Sequence, residues 1–326
     1  MLRARIDCPV RRHLARPVRI VPLLAAAALA AGLAACGGSG SARTAGTTAA
    51  STLPGAGRPS VTLGTGSVTE QFVLGQLYQQ ALQAKGFSVA LKQNIGSTRI
   101  ADAALRTGQI DLYPAYVGIF DRTIAGARRS APSLTAALAG GRAYARRHGF
   151  RLLAATPFTD VDALVVLPDY ARTHRLASIA GLAGVRRLRL GAQPQFRTAA
   201  AGLRGLARVY GIRDVDFAPL TVGLQYQALA DGQIDVADVL TTDGQLQSGR
   251  YVVLADPKHV FGFENVTPVV SAHVLRVEGA AFGAALNAVS RALTLSAMQR
   301  MNAAVALDGK SPADVARQFL QSAGLV

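Results

Sequence analysis

The chain of 326 residues contains no tryptophan, two cysteines, three methionines and five histidines. Each scarcity removes something. Cys8 lies inside a basic, apolar leader and Cys36 at the end of it. Removal of the leader therefore leaves one thiol, and neither an intrachain disulfide nor a thiolate metal site can form. His13, His148, His174, His259 and His273 fall in the leader, at helix ends and in loops, with no metal-ligand spacing, and are read as solvated. Gly64-Thr65-Gly66-Ser67 is glycine-rich but lacks the lysine of a phosphate loop. No nucleophile stands beside a candidate base. The residues thus offer no catalytic constellation, and neither a cofactor nor a metal is expected.

Long apolar runs are also missing. The longest, Ile20 to Ala35, follows Arg3, Arg5, Arg11, Arg12, Arg16 and Arg19. It is shorter than the ~20 residues that cross a bilayer and reads as an export signal. It ends in Leu33-Ala34-Ala35-Cys36-Gly37, a pattern resembling a bacterial lipobox, in which the Cys36 thiol would accept a diacylglyceryl group. The alternative is an ordinary signal with a chance cysteine. Arg11-Arg12 could belong to a twin-arginine signal, but the surrounding residues fit general secretion better. Residues 37–59 are rich in Gly, Ser, Ala and Thr and carry no core-forming pattern, as a flexible tether would. The net charge of +16 would suit nucleic acid, which an exported protein seldom meets; a solvated basic face near an anionic membrane is the plainer reading.

What is present is a repeat. Thr107-Gly108-Gln109-Ile110-Asp111 returns as Asp231-Gly232-Gln233-Ile234-Asp235, each preceded by Ala-Leu three residues upstream. Leu63-Gly64 and Leu190-Gly191, and Gly86 and Gly211, recur at nearly the same offset. In the first copy Val61–Gly64 reads as a strand. A helix then carries Phe72, Val73, Leu77, Ala81 and Ala84 at helical spacing. Ser67 and Glu70 have the spacing of a capping box at its start. Residues 87–91, a short helix from Ser97 or Thr98, and a strand over 110–113 complete a β-α-β-α-β order, which implies parallel pairing. The second copy repeats it over 188–240. Ser311-Pro312-Ala313-Asp314 is a helix start, and Met298 and Met301 read as core.

The expected fold is α/β, with two lobes, each a mainly parallel sheet flanked by helices, and a cleft between them. The expected divisions are a signal peptide over 1–35, a tether over 36–59, a first lobe over 60–160, a second over 161–266, and a return to the first over 267–326. Ligands of open parallel sheets sit beyond the carboxyl ends of the strands. Here those ends are Gly64–Ser67, Tyr113–Gly118, Gly191–Gln193 and Leu240–Gly244. Tyr113, Tyr116, Tyr226, Phe158, Phe261 and Phe263 fall near these segments or the crossings, and aromatic faces can hold a cation that donates no hydrogen bonds.

Several segments resemble one family. They are Val68-Thr69-Glu70-Gln71-Phe72, Gly96-Ser97-Thr98, the run from Gln109 to Gly118, the run from Gly223 to Leu229, Thr242-Asp243-Gly244 and the run from Met298 to Asn302. All look like the substrate-binding proteins of osmoprotectant ABC importers, the OpuAC-type receptors for glycine betaine, choline and related compounds. The resemblance runs from about Val61 to the C-terminus. It implies a type II periplasmic-binding-protein fold that captures a small osmolyte-like solute by lobe closure. It also implies permease subunits with their ATPase as partners. The protein would be an exported monomer, lipid-anchored through Cys36 to the outer face of the cell membrane, with no enzymatic activity and no nucleic acid.

The family's pocket is commonly an aromatic cage around a quaternary ammonium. By motif, Tyr116 and Tyr226 match cage members and Gln71 a polar contact. Two positions depart. After Pro157-Phe158, where Asn-Asn-Thr-Tyr is frequent, this chain has Thr159-Asp160-Val161-Asp162, and Glu264 stands before Asn265 where a tyrosine is common. Ile119 also stands where a small polar residue is frequent. The implied ligand set is Gln71, Tyr116, Thr159, Asp162, Tyr226 and Glu264. Asp162 and Glu264 either line the cleft or face away from it. Carboxylates there would favour a cation without its own carboxylate, such as choline or an amine with N–H donors, over glycine betaine. A ligand-sensing module of the same fold for an unrelated solute is the competing reading, and an extracytoplasmic enzyme a third.

Overall fold

The structure is a computed structural model that describes residues 53–326. Cys36 and the leader lie outside the described residues. Two five-stranded sheets organise the rest. The chain begins with β1 (Val61–Gly64), α1 (Thr69–Gln83), β2 (Val89–Lys92), α2 (Thr98–Arg106), β3 (Leu112–Tyr116), α3 (Val117–Thr123), α4 (Leu134–Arg147) and β4 (Phe150–Leu152). It crosses once and builds β5 (Asp162–Val166), α5 (Pro168–His174), β6 (Leu188–Ala192), α6 (Leu203–Tyr210), β7 (Val215–Pro219), α7 (Leu224–Ala230), β8 (Val236–Leu240) and β9 (Val252–Val253). It then returns through β10 (Val266–Ser271), α8 (Ala272–Glu278), α9 (Ala280–Ala292), α10 (Leu295–Ala306) and α11 (Pro312–Ser322).

The strand orders are β2-β1-β3-β10-β4 and β7-β6-β8-β5-β9, the same plan twice. The parallel triplets are those expected. Each sheet also takes in one strand from a crossing, β10 or β5, which runs antiparallel to both neighbours. Each sheet is therefore half parallel and half antiparallel, because a chain that leaves one sheet and returns must enter from the opposite end. Both faces of each sheet are covered. Val73, Leu77, Phe282, Leu286, Met298 and Met301 pack on one side of the first sheet, and Leu105, Phe120 and Phe150 on the other.

The repeat is a structural device. In each copy the glycine takes a positive φ, +70° at Gly108 and +67° at Gly232. The following amides turn back to Ala104 and Ala228. Asp111 then accepts the amide of Thr62 at 2.7 Å, and Asp235 that of Arg189 at 3.1 Å, pinning the turn to the first strand of each sheet. These bonds hold residues 107–111 and 231–235 as turns, so the strands begin later than their apolar residues suggest, at Leu112 and Val236. Ile110 and Ile234 lie over Gly64 and Gly191, where an added methyl would come within 2.9 and 2.6 Å of them.

Two helix starts differ in outcome. Ser311 caps α11, accepting the amide of Asp314 at 3.1 Å, as its sequence predicts. The capping box of α1 does not form. The helix starts from Val68 with no side-chain cap, because Glu70 is buried and bonded to distant residues instead.

Candidate functional site

Beyond the carboxyl ends of β1 and β3 lies a cavity of about 200 Å³, lined by Gly66, Ser67, Gln71, Ser97, Tyr113 and Tyr116 among others. Gln71 is buried and accepts the amide of Gly66 at 3.3 Å. Tyr116, the last residue of β3, donates its hydroxyl to Glu70 at 3.1 Å. The other oxygen of Glu70 accepts from the side-chain amide of Asn302 at 3.1 Å, and the same amide donates to the carbonyl of Thr242 at 3.0 Å. The Thr242 hydroxyl donates to Asp160 at 2.8 Å. Asp243, next in the chain, accepts from Tyr226 at 2.8 Å. A polar network thus runs from the first-lobe cavity, through α10, to the loop after β8 and the first crossing.

Its electrostatics are one-sided. Burial pushes the carboxyl of Glu70 up, against the hydrogen bonds it accepts. Burial and then the charge of Glu70 raise Asp160 well above its ordinary value. Burial and Glu264 push Asp162 up to about 6, and burial with Asp162 and Asp243 pushes Asp238 up to about 9. Asp243 is raised by burial as well. Among the described residues, none of these five carboxylates has an arginine, lysine or histidine as a salt-bridge partner. One oxygen of Asp238 and the side-chain oxygen of Asn302 are buried without any hydrogen-bond partner.

The sequence-implied residues divide. Gln71 and Tyr116 share the first cavity. Thr159 and Asp162 line a second one of about 410 Å³ with Phe261 and Phe263. The polar atoms of Thr159 are engaged: its hydroxyl accepts the amide of Glu264 at 2.9 Å, and its carbonyl accepts from Thr241 at 2.6 Å. Tyr226 is buried in the second-lobe core against Tyr251, with ring centroids 5.1 Å apart. Glu264 lines neither cavity. It accepts the amide of Ile119, in the first turn of α3, and the guanidinium of Arg122, near the end of that helix, both at 2.8 Å. Phe158 is fully buried in the first-lobe core. Glu70, Asp160, Asp238 and Asp243 are the acids that sequence reasoning passed over. Glu70 and Asp243 stand inside segments already singled out, beside Gln71 and Thr242, and Asp160 lies between Thr159 and Asp162.

Residues 59–322 match the family described as the substrate binding domain of ABC-type glycine betaine transport system. A glycine-betaine-binding protein of Pseudomonas aeruginosa is 29% identical over 79% of this chain and 86% of its own length. The glycine betaine-binding protein YehZ of Escherichia coli is 24% identical over 85% of this chain and 94% of its own. Among solved structures, one described as a glycine betaine/carnitine/choline ABC transporter superposes with a TM-score of 0.76 at 24% identity. It covers 82% of this chain and 99% of its own, a likeness of fold.

Proposed function

The chain belongs to the family of substrate-binding domains of ABC-type glycine betaine transport systems, and on that premise we propose that it captures a cationic osmolyte of the choline class between its lobes. The observation that carries the reading is the one-sided charge. Glu70 from the first lobe, Asp160 from the crossing, and Asp162, Asp238 and Asp243 from the second lobe lie buried or half-buried without a basic partner. Five such groups are costly unless they are protonated or a cation joins them. Tyr116 presents an aromatic side chain at the same place, and Gln71 a polar one. A ligand carboxylate, as in glycine betaine, would face repulsion there.

The wider reading follows from the family and from the leader. The protein binds its solute without turning it over and hands it to permease subunits served by an ATPase. It acts as an exported monomer, tethered to a lipid on Cys36 through residues 36–52. The expected tether over 36–59 is shorter, because residues 53–58 turn against the first lobe, where the Gly55 amide donates to the Lys85 carbonyl at 2.9 Å and Arg58 to the Val277 carbonyl at 2.6 Å. Lobe divisions at 160/161 and 266/267 would make the two crossings the axis about which closure occurs.

Calorimetry with choline, glycine betaine, carnitine and spermidine tests the ligand class. Choline or spermidine should bind more tightly than glycine betaine. Tight binding of glycine betaine with none of choline overturns the reading. Mass spectrometry of solute carried through purification gives an independent answer.

A further inference from the structure

The helix α10 belongs by its packing to the first lobe. Ala297, Met298 and Met301 are buried, the two methionines in the same core as α1, α9 and α11. Yet its opposite face holds a loop of the second lobe. Asn302 donates to the Thr242 carbonyl at 3.0 Å, and Gln299, one turn earlier, to the Thr241 carbonyl at 2.7 Å. Gln299 also accepts from Gln247 at 2.5 Å. Gly244 presses on Ala303 so closely that a methyl at 244 would stand 2.5 Å from the Ala303 Cα. A glycine is required there by close approach, since its neighbour is backbone and cannot give way.

The same loop grips the first crossing. Thr241 donates to the Thr159 carbonyl at 2.6 Å and accepts the Val161 amide at 3.1 Å, and Thr242 donates to Asp160. Thr159 in turn pairs with Asn265 of the second crossing. Both covalent crossings and α10 therefore converge on residues 241–244. A rigid-body motion of one lobe against the other must turn about this junction or break it.

We propose that Asn302 is the positioning residue of the cleft, joining the carboxylate partner of Tyr116 in one lobe to the Thr242–Gly244 loop of the other and making α10 a third, noncovalent strut between the lobes. One side-chain amide meets both demands: its two donated bonds go to Glu70 and to Thr242, so the separation of those groups is set by a single planar group. Tyr116 is held through Glu70, and Tyr226 through Asp243, the residue after Thr242. The two candidate tyrosines from opposite lobes are thus referred to the same turn of α10. Loss of the amide frees the loop and the Glu70 carboxylate together, so the two walls lose their common reference.

The inference rests on the ligand reading above for its affinity arm alone. The full chain, solubilised in detergent, is compared as wild type, Asn302→Ala, Gln299→Ala and Met298→Ala. Three quantities are read: choline affinity by calorimetry, amide exchange over residues 241–248 without ligand, and thermal midpoint. Asn302→Ala should weaken choline binding at least about fivefold, as expected for losing a buried hydrogen-bonding group. It should also raise ligand-free exchange at 241–248. Gln299→Ala should shift both in the same direction by less. Met298→Ala should lower the midpoint while leaving affinity and exchange at 241–248 at wild-type levels. If Asn302→Ala fails to fold, the exchange result with Gln299→Ala decides the strut. The proposal is overturned if Asn302→Ala lowers only the midpoint, as Met298→Ala does, or if exchange at 241–248 is unchanged in both polar variants. Absence of choline binding by the wild type sinks the ligand reading, while exchange without ligand still decides the strut.

Discussion

Tyr226 gives its hydroxyl to Asp243 at 2.8 Å while its ring packs against Tyr251 inside the second lobe. The residue thus acts on the cleft through a carboxylate, and ring and hydroxyl can be separated by substitution. Tyr226→Phe keeps the packing and removes one hydrogen bond, which costs about 1 kcal/mol and leaves Asp243 one donor short. Tyr226→Ala empties a core site and should cost about 3–5 kcal/mol. Denaturant titration should separate the two variants by that difference. Choline affinity of Tyr226→Phe should stay within about threefold of wild type, because the ring is kept and the hydroxyl is already engaged by Asp243. A larger loss, with stability preserved, would show that the hydroxyl touches the ligand.

Tyr116 differs because it borders a cavity that also holds Gln71. Removing the ring in Tyr116→Ala should weaken binding of a quaternary ammonium by about 0.5–2 kcal/mol, roughly twofold to thirtyfold. Tyr116→Phe keeps the ring but deprives Glu70 of a donor. It should retain most of the affinity while moving the pH dependence of binding upward, since an ionised Glu70 is then less well solvated. Calorimetry at several pH values distinguishes the two variants.

Gly118 and Glu264 form the third testable pair. A methyl on residue 118 would fall 2.6 Å from a Glu264 oxygen and 2.8 Å from the Phe263 carbonyl, so Gly118→Ala must displace the carboxylate from the start of α3. A loss of about 1–3 kcal/mol is expected. Glu264→Gln should destabilise by a similar amount, because the Ile119 amide and Arg122 lose a charged acceptor. Choline affinity per folded molecule should change little in both. A selective loss of affinity in Glu264→Gln, without loss of stability, would return Glu264 to the ligand set.

What the sequence made legible was local. The turn Gly108–Asp111 and its copy are written in consecutive residues, and the contacts that give them meaning lie on the adjacent strand of the same sheet. Ser311 caps α11 from three residues away for the same reason. Glu70 misleads because its partners, Tyr116 and Asn302, lie 46 and 232 residues distant, so the capping-box spacing says nothing of the burial that overrides it. The insertion of β5 and β10 as antiparallel strands is a property of how the crossings thread, which no local period records. Glu264 stands where a wall residue was expected, and only the fold shows Arg122 and the Ile119 amide waiting for it.

The acid cluster makes binding dependent on pH in a direction that can be worked out. A carboxyl raised above its ordinary range binds more protons folded than unfolded, so stability is greatest below that range and falls as pH rises toward the folded pKa. With Asp162 at about 6 and Asp238 at about 9, the empty protein should lose stability between mildly acidic and mildly alkaline pH. A cation prefers the ionised acids, so its capture expels protons and its affinity must climb with pH over the same interval. Choline carries a permanent charge, so the slope belongs to the protein alone, up to about tenfold per pH unit for each proton released. Asp162→Asn should remove the part of the rise that ends near pH 6, and Asp238→Asn the part that continues toward 9. Calorimetry in buffers of different ionisation enthalpy counts the protons directly. A choline affinity that is flat from pH 5 to 9 would mean that the cation binds away from these carboxylates.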